Sequence, residues 1–159
     1  MKKIIHRFVL VLLILSLGFS LRAAPLAIDF QAKTLTGSNF IFSEVLGKKN
    51  IVINFWASWC DSCEEEIEIL NDLKSKYPDQ ENTVFLAINA GDTERAAQHF
   101  VDKTKFSYSV VMDSDKAIAK KFGILGLPQT IVISALGEIV YQNSKPPKDL
   151  NMLKVSGAQ

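Results

Sequence analysis

The eight residues Trp56-Ala57-Ser58-Trp59-Cys60-Asp61-Ser62-Cys63 constrain this chain more than any other stretch, because they hold both of its cysteines, three positions apart. The run before the cysteines, Ile51-Val52-Ile53-Asn54-Phe55-Trp56, is almost continuously apolar, which suits a central strand buried on both faces. Beyond them Ile67, Leu70 and Leu73 fall on one helical stripe, and Pro78-Asp79 follows its end. Two thiols therefore stand where a buried strand gives way to a helix. At this spacing a disulfide closes and reopens with little backbone movement. The orphan N–H groups and positive dipole end of such a helix also favour thiolate on the first cysteine. The pattern points to thiol–disulfide exchange.

Competing uses of the pair are weaker. A tetrahedral zinc site needs four ligands, and the only histidines are His6 and His99, so no metal site is expected within one chain. A purely structural disulfide would close a very short loop and remove little chain entropy. No cofactor beyond the Cys60–Cys63 pair itself is called for.

At 159 residues, 48% hydrophobic and 22% charged, the chain has the size and composition of one globular domain. Lys2, Lys3 and Arg7 precede an uncharged apolar run, Phe8–Leu21, and Ala23-Ala24 follow it. That is the layout of a secretory signal. The run is 14 residues, short of the roughly 18 that favour a spanning helix. Residues 1–24 are therefore expected to be a signal peptide or an uncleaved membrane anchor, 25–155 the folded domain and 156–159 a frayed tail. Without Lys2, Lys3, Arg7 and Arg22 the charge is 14 basic against 17 acidic residues, or −3, which gives no electrostatic case for nucleic acid.

Along the domain, Ala27–Lys33 and Asn39–Phe42 flank Thr36-Gly37-Ser38 as a hairpin, and Ser43 is expected to cap a helical turn over Glu44–Leu46. Thr83–Asn89 reads as a second buried strand and Thr93–Lys103 as a helix with Ala96, Ala97, Phe100 and Val101 inward. Tyr108–Met112 is a short strand, and Ser114 or Asp115 opens a helix that Gly123 ends. Gln129–Ser134 and Glu138–Tyr141 form a hairpin around Ala135-Leu136-Gly137, and Lys148–Val155 a terminal helix. Strands separated by helices imply an α/β fold with a parallel core, to which the last hairpin adds antiparallel strands.

Asn54-Phe55-Trp56-Ala57-Ser58-Trp59-Cys60-Asp61-Ser62-Cys63, then Glu66, then Gly126-Leu127-Pro128, resembles the TlpA/ResA-like branch of the thioredoxin superfamily over about residues 28 to 145. The resemblance implies a thioredoxin-like fold with an N-terminal hairpin extension and a central insertion at Thr93–Met112. It implies that Cys60 is the exposed nucleophile and Cys63 the buried resolving thiol, with Trp59 covering the pair. Pro128 would be cis and lie against the disulfide, leaving the Leu127 backbone to pair with an extended substrate segment. Where thioredoxin has a buried aspartate this chain has Asn54, which cannot ionise. Glu66, three residues after Cys63, matches the glutamate of the branch and is expected to move a proton for Cys63.

Such proteins are exported, often tethered to the inner membrane, act on cysteine-containing proteins and draw electrons from a membrane thiol donor. One of their roles is reducing apocytochrome c before haem attachment. Proline is common between the cysteines in that branch, whereas Asp61 and Ser62 stand here. Acids at 61, 64, 65, 66 and 68 oppose thiolate on Cys60, which favours a reductant over a strong oxidant. Two rivals are a thiol peroxidase, which would want an arginine near the cysteine, and a binding or chaperone module with a structural disulfide. No arginine lies between Arg22 and Arg95.

Overall fold

In chain order the elements are β1 (Gln31–Lys33), β2 (Asn39–Ile41), a 3-10 turn (Phe42–Glu44), β3 (Asn50–Trp56), α1 (Asp61–Lys76), β4 (Thr83–Ala90), α2 (Glu94–Thr104), β5 (Ser109–Asp113), α3 (Ala117–Lys121), β6 (Gln129–Ile133), β7 (Ile139–Asn143) and α4 (Met152–Ser156). The structure, a computed structural model, describes residues 24–77 and 82–156. The basic and apolar segment before Ala24, the Pro78-Asp79 stop and the end of the expected tail lie outside the described residues. Among the described residues no helix is long and apolar enough to cross a membrane.

The run after Lys49 becomes the middle strand of a five-stranded sheet ordered β5-β4-β3-β6-β7. β3 pairs in parallel with β4, as β4 does with β5, because each connection passes through a helix. On the other side β3 pairs antiparallel with β6, and β6 with β7 across a tight hairpin. The mixed sheet is the one the alternation of strands and helices predicts.

β3 is buried along nearly all its length, so its side chains feed two cores. Ile51, Ile53 and Phe55 join Leu86, Ile88, Ile131 and Ile133 under the hairpin β1–β2 and helix α3. There Phe30 stacks on Phe42 at 4.6 Å, and Phe122 meets Phe42 edge-on at 6.3 Å. Burial of each such ring is worth about 1.5–3 kcal/mol. Val52 and Trp56 project to the opposite face, where α1 and α2 pack. Trp56 stacks on Phe100 at 4.7 Å and is fully buried, so it is a core residue. The first described residues are stitched to the β6–β7 hairpin: Leu26 bridges Glu138, the Ala27 N–H donates to the Gly137 carbonyl and the Ile139 N–H to that of Pro25.

Four local expectations need correction. β1 begins at Gln31, and residues before it are held by isolated bonds. Ser43 lies inside the 3-10 turn, whose N-cap Ile41 offers no side-chain cap; burial of Phe42 fixes the turn earlier than the capping pattern suggested. α3 spans only Ala117–Lys121; Asp115 accepts the Ala117 N–H at 3.1 Å, as expected of a residue that opens it, but the buried Asp113 carboxylate takes the next two N–H groups, of Ile118 and Ala119, at 2.9 and 2.8 Å. The terminal helix is confined to Met152–Ser156, since Pro146, Pro147 and the buried Leu150 hold the preceding chain in irregular contact with the domain.

Candidate active site

β3 ends at Trp56 and α1 begins at Asp61, so four residues must turn the chain from sheet to helix. The turn is closed by the Cys60 N–H donating to the Ala57 carbonyl at 3.2 Å. Cys60 is the N-cap of α1, in extended conformation, and its carbonyl accepts from Cys63 N at 3.0 Å. Cys60 and Cys63 are joined by a disulfide, S–S 2.02 Å. Both cysteines are buried, Cys60 at 7% exposure and Cys63 at 1%. Acids Asp61 and Glu64 occupy the first turn of α1 and Lys74 and Lys76 the last, an arrangement that complements the helix dipole.

One turn beyond Cys63 on the same buried face stands Glu66. It is 8% exposed, and its Oε2 atom has no protein partner among the described residues. Burial pushes its carboxyl from the ordinary 4.5 up to about 7; Lys145 pulls the other way and Glu65 adds to the rise. Burial, and after it the charge of Glu66, hold the Tyr108 hydroxyl protonated, well above the usual phenol range. That hydroxyl also lacks a protein partner among the described residues. Two unsatisfied polar groups thus share the space between α1 and the sheet. Asn54 lies in the same layer and reaches Thr130 Oγ1 at 3.5 Å, too long for a strong bond.

The Leu127–Pro128 peptide is cis. Pro128 and Glu66 line one cleft of about 640 Å³ with Ser62, Glu65, Ile69 and Lys145. Glu66 and Pro128 thus share a cleft whose wall includes Ser62, the residue before Cys63, and Leu127 packs against the apolar cluster that holds both cysteines. The side chain of Trp59 is 62% exposed and lies beneath the Lys116 ammonium, 5.7 Å from the ring centroid, lining a second, smaller cleft with Leu127. Its position next to Cys60 placed it at the site; its lean toward Lys116, 57 residues on, had no local signal.

Sequence reasoning missed Asp92. Its buried carboxylate receives the Ser58 N–H at 2.6 Å, the Ser58 hydroxyl at 3.0 Å and the Asn89 amide at 2.6 Å, tying the turn before Cys60 to the end of β4. The acid crowd at the start of α1 is also thinner than its count suggests: Glu64 is paired with Lys103 at 2.7 Å, and burial raises the Glu66 carboxyl to about 7, so it carries less negative charge than an ordinary glutamate. His99 is exposed, as expected, and lines a shallow hollow on α2 with Thr93, Arg95 and Asp102 that shares no residue with the site. Arg95 is the sole arginine among the described residues, so no arginine joins the cysteines as a peroxidase would want. Among those residues no cluster of three His, Cys, Asp or Glu could hold a metal.

Residues 24–142 match the AhpC/TSA family. Thiol-disulfide oxidoreductase ResA of Halalkalibacterium halodurans is 34% identical over 119 residues, 75% of this chain and 66% of that protein. ResA of Bacillus anthracis is 30% identical over 147 residues, 84% of each chain. Among solved structures, a thiol-disulfide oxidoreductase from Bacteroides fragilis superposes with a TM-score of 0.73 at 26% identity, covering 83% of this chain and 99% of its own. A secreted Mycobacterium tuberculosis disulfide oxidoreductase homologous to Escherichia coli DsbE gives 0.66 at 26% identity, covering 80% and 92%.

Proposed function

The chain belongs to the AhpC/TSA family and is a thiol–disulfide oxidoreductase of thioredoxin-like fold, and on that premise we propose that it works as an exported reductase of protein disulfides. The observation that carries the reading is the buried Cys63 with Glu66 one turn away, its carboxyl near 7, beside a cis proline at the same cleft.

In the reduced protein, Cys60 thiolate attacks a substrate disulfide; one substrate sulfur leaves as thiolate and takes up a proton, and a mixed disulfide forms. Glu66, whose carboxyl burial raises to about 7, accepts the Cys63 proton in its ionised form. Cys63 then attacks the Cys60 sulfur, the second substrate thiol departs, and the Cys60–Cys63 disulfide remains. Pro128 and the Leu127 backbone border the extended substrate segment. A membrane thiol donor returns the two electrons. Reduction of apocytochrome c is the role within this class that we propose for its substrate.

Export is supported by the basic and apolar segment at the N-terminus and by the secreted mycobacterial relative. The reducing direction is supported by Asp61, Glu65 and Glu68, exposed carboxylates on the first turns of α1 that oppose a stabilised thiolate. Equilibration of the Cys60–Cys63 pair in glutathione and dithiothreitol buffers tests it. A potential near or below about −250 mV supports a reductase, and one near about −120 mV makes the protein a disulfide donor.

A further inference from the structure

Trp59 lines a small cleft of about 150 Å³ that shares no lining residue with the Glu66 cleft. That is roughly the liquid volume of five waters, room for one side chain. Its walls are apolar (Ala90, Ala119, Ile124, Leu125, Leu127) and its single charged group is Lys116. It adjoins both halves of the reaction zone: Trp59 precedes the nucleophile, and Leu127 precedes the cis proline.

Lys116 is held there by the backbone. It sits in the left-handed region, φ 60°, as N-cap of α3, a conformation that costs a non-glycine residue about 1 kcal/mol. Its stem crosses Gly91 so closely that a Cβ there would stand 2.3 Å from the Lys116 Cε atom. The ammonium rests over the Trp59 ring, within cation–π range. Among the described residues no carboxylate is paired with it.

We propose that this cleft is a substrate subsite that reads one acidic side chain, glutamate or aspartate, close in sequence to the target cysteine. The proposal rests on the dithiol-exchange reading above. Methylene groups of the acidic residue pack on Ile124 and Leu127 while its carboxylate meets the Lys116 ammonium. An extended segment paired with the Leu127 backbone brings neighbours of its cysteine within reach, since successive residues advance by about 3.3 Å.

The test uses peptides Gly-X-X-Cys-X-X-Gly, with X glutamate, glutamine or lysine, each capped as a mixed disulfide with mercaptoethanol. The reduced protein converts each to peptide thiol and mercaptoethanol while it is itself oxidised. The readout is the ratio of second-order rate constants for single-turnover oxidation of the reduced protein by the glutamate and glutamine peptides, taken within each variant so that general losses cancel. Wild type is expected to favour glutamate about threefold to fivefold, the scale of an exposed ion pair. Lys116→Met is expected to bring the ratio to about one and Lys116→Glu to invert it, and 0.5 M salt should reduce the wild-type preference. An equal ratio in wild type and Lys116→Met overturns the subsite while leaving exchange intact. Failure of wild-type protein to reduce any of the three peptides overturns the exchange reading itself.

Discussion

Glu66 sits in a place that costs the fold stability, and Glu66→Gln measures how much. The carboxyl is raised from 4.5 to about 7, chiefly by burial. A folded-state value above the unfolded one means that the native protein holds this proton over a range where the unfolded chain has released it. Native stability therefore falls as pH rises from about 4.5, and the loss is complete above about 7. Each tenfold change in proton affinity is worth about 1.4 kcal/mol, which sets a ceiling of about 3 kcal/mol. Water reaching the carboxyl from the adjoining cleft lowers the expected gain to about 2 kcal/mol. Glutamine is neutral throughout, so the variant is expected to be the more stable protein at pH 8 and to show a much smaller gap at pH 5. Urea unfolding of both proteins in the oxidised state, at the two pH values, reads this directly, because other titrating groups cancel between them. Meanwhile release of product from the mixed disulfide should slow roughly 10²-fold and lose its rise through pH 7. A stability gap of the same size at both pH values would refute the burial argument, and an unchanged exchange profile would refute the proton-transfer role.

Three further outcomes are expected. Cys63→Ser should accumulate a mixed disulfide through Cys60, visible by non-reducing electrophoresis, whereas Cys60→Ser should trap none. Asp92→Ala strands the Ser58 and Asn89 donors and should lower the urea-unfolding free energy by about 2–4 kcal/mol. Lys103→Met removes the pair with Glu64, whose side chains are 58% and 41% exposed; its cost should be no more than about 1 kcal/mol, measured the same way.

What could be read from the chain was what local pattern encodes. The apolar run at Ile51–Trp56, the stripe Ile67, Leu70, Leu73 and the Cys60–Cys63 spacing each specify an environment within a dozen residues, and the structure keeps all three. Glu66 was named from the family resemblance, which places a glutamate three residues after the second cysteine. Its depth of burial could not be read from four acids in five positions, because only packing against the sheet separates it from Glu64, Glu65 and Glu68. Asp92 and Ser58 are 34 residues apart, and their pairing depends on β4 lying beside β3. The start of α3 was legible in part. Asp115 takes the Ala117 N–H as its residue type suggests, whereas Asp113 reaches Ile118 and Ala119 only because a buried strand ends there.

The stitching of Pro25–Ala27 to the β6–β7 hairpin gives the molecule a polarity. β6 starts opposite Phe55, near the cysteines, and ends opposite Ile51, so the turn it leads into stands at the far end of the sheet from the disulfide. The chain enters the domain at that far end. Seven residues of β3 separate the two poles, roughly 20 Å. The point where the chain enters the domain and the Cys60–Cys63 pair therefore stand at opposite ends of the central strand, so the approach to the disulfide is not crossed by the incoming chain at Pro25–Ala27.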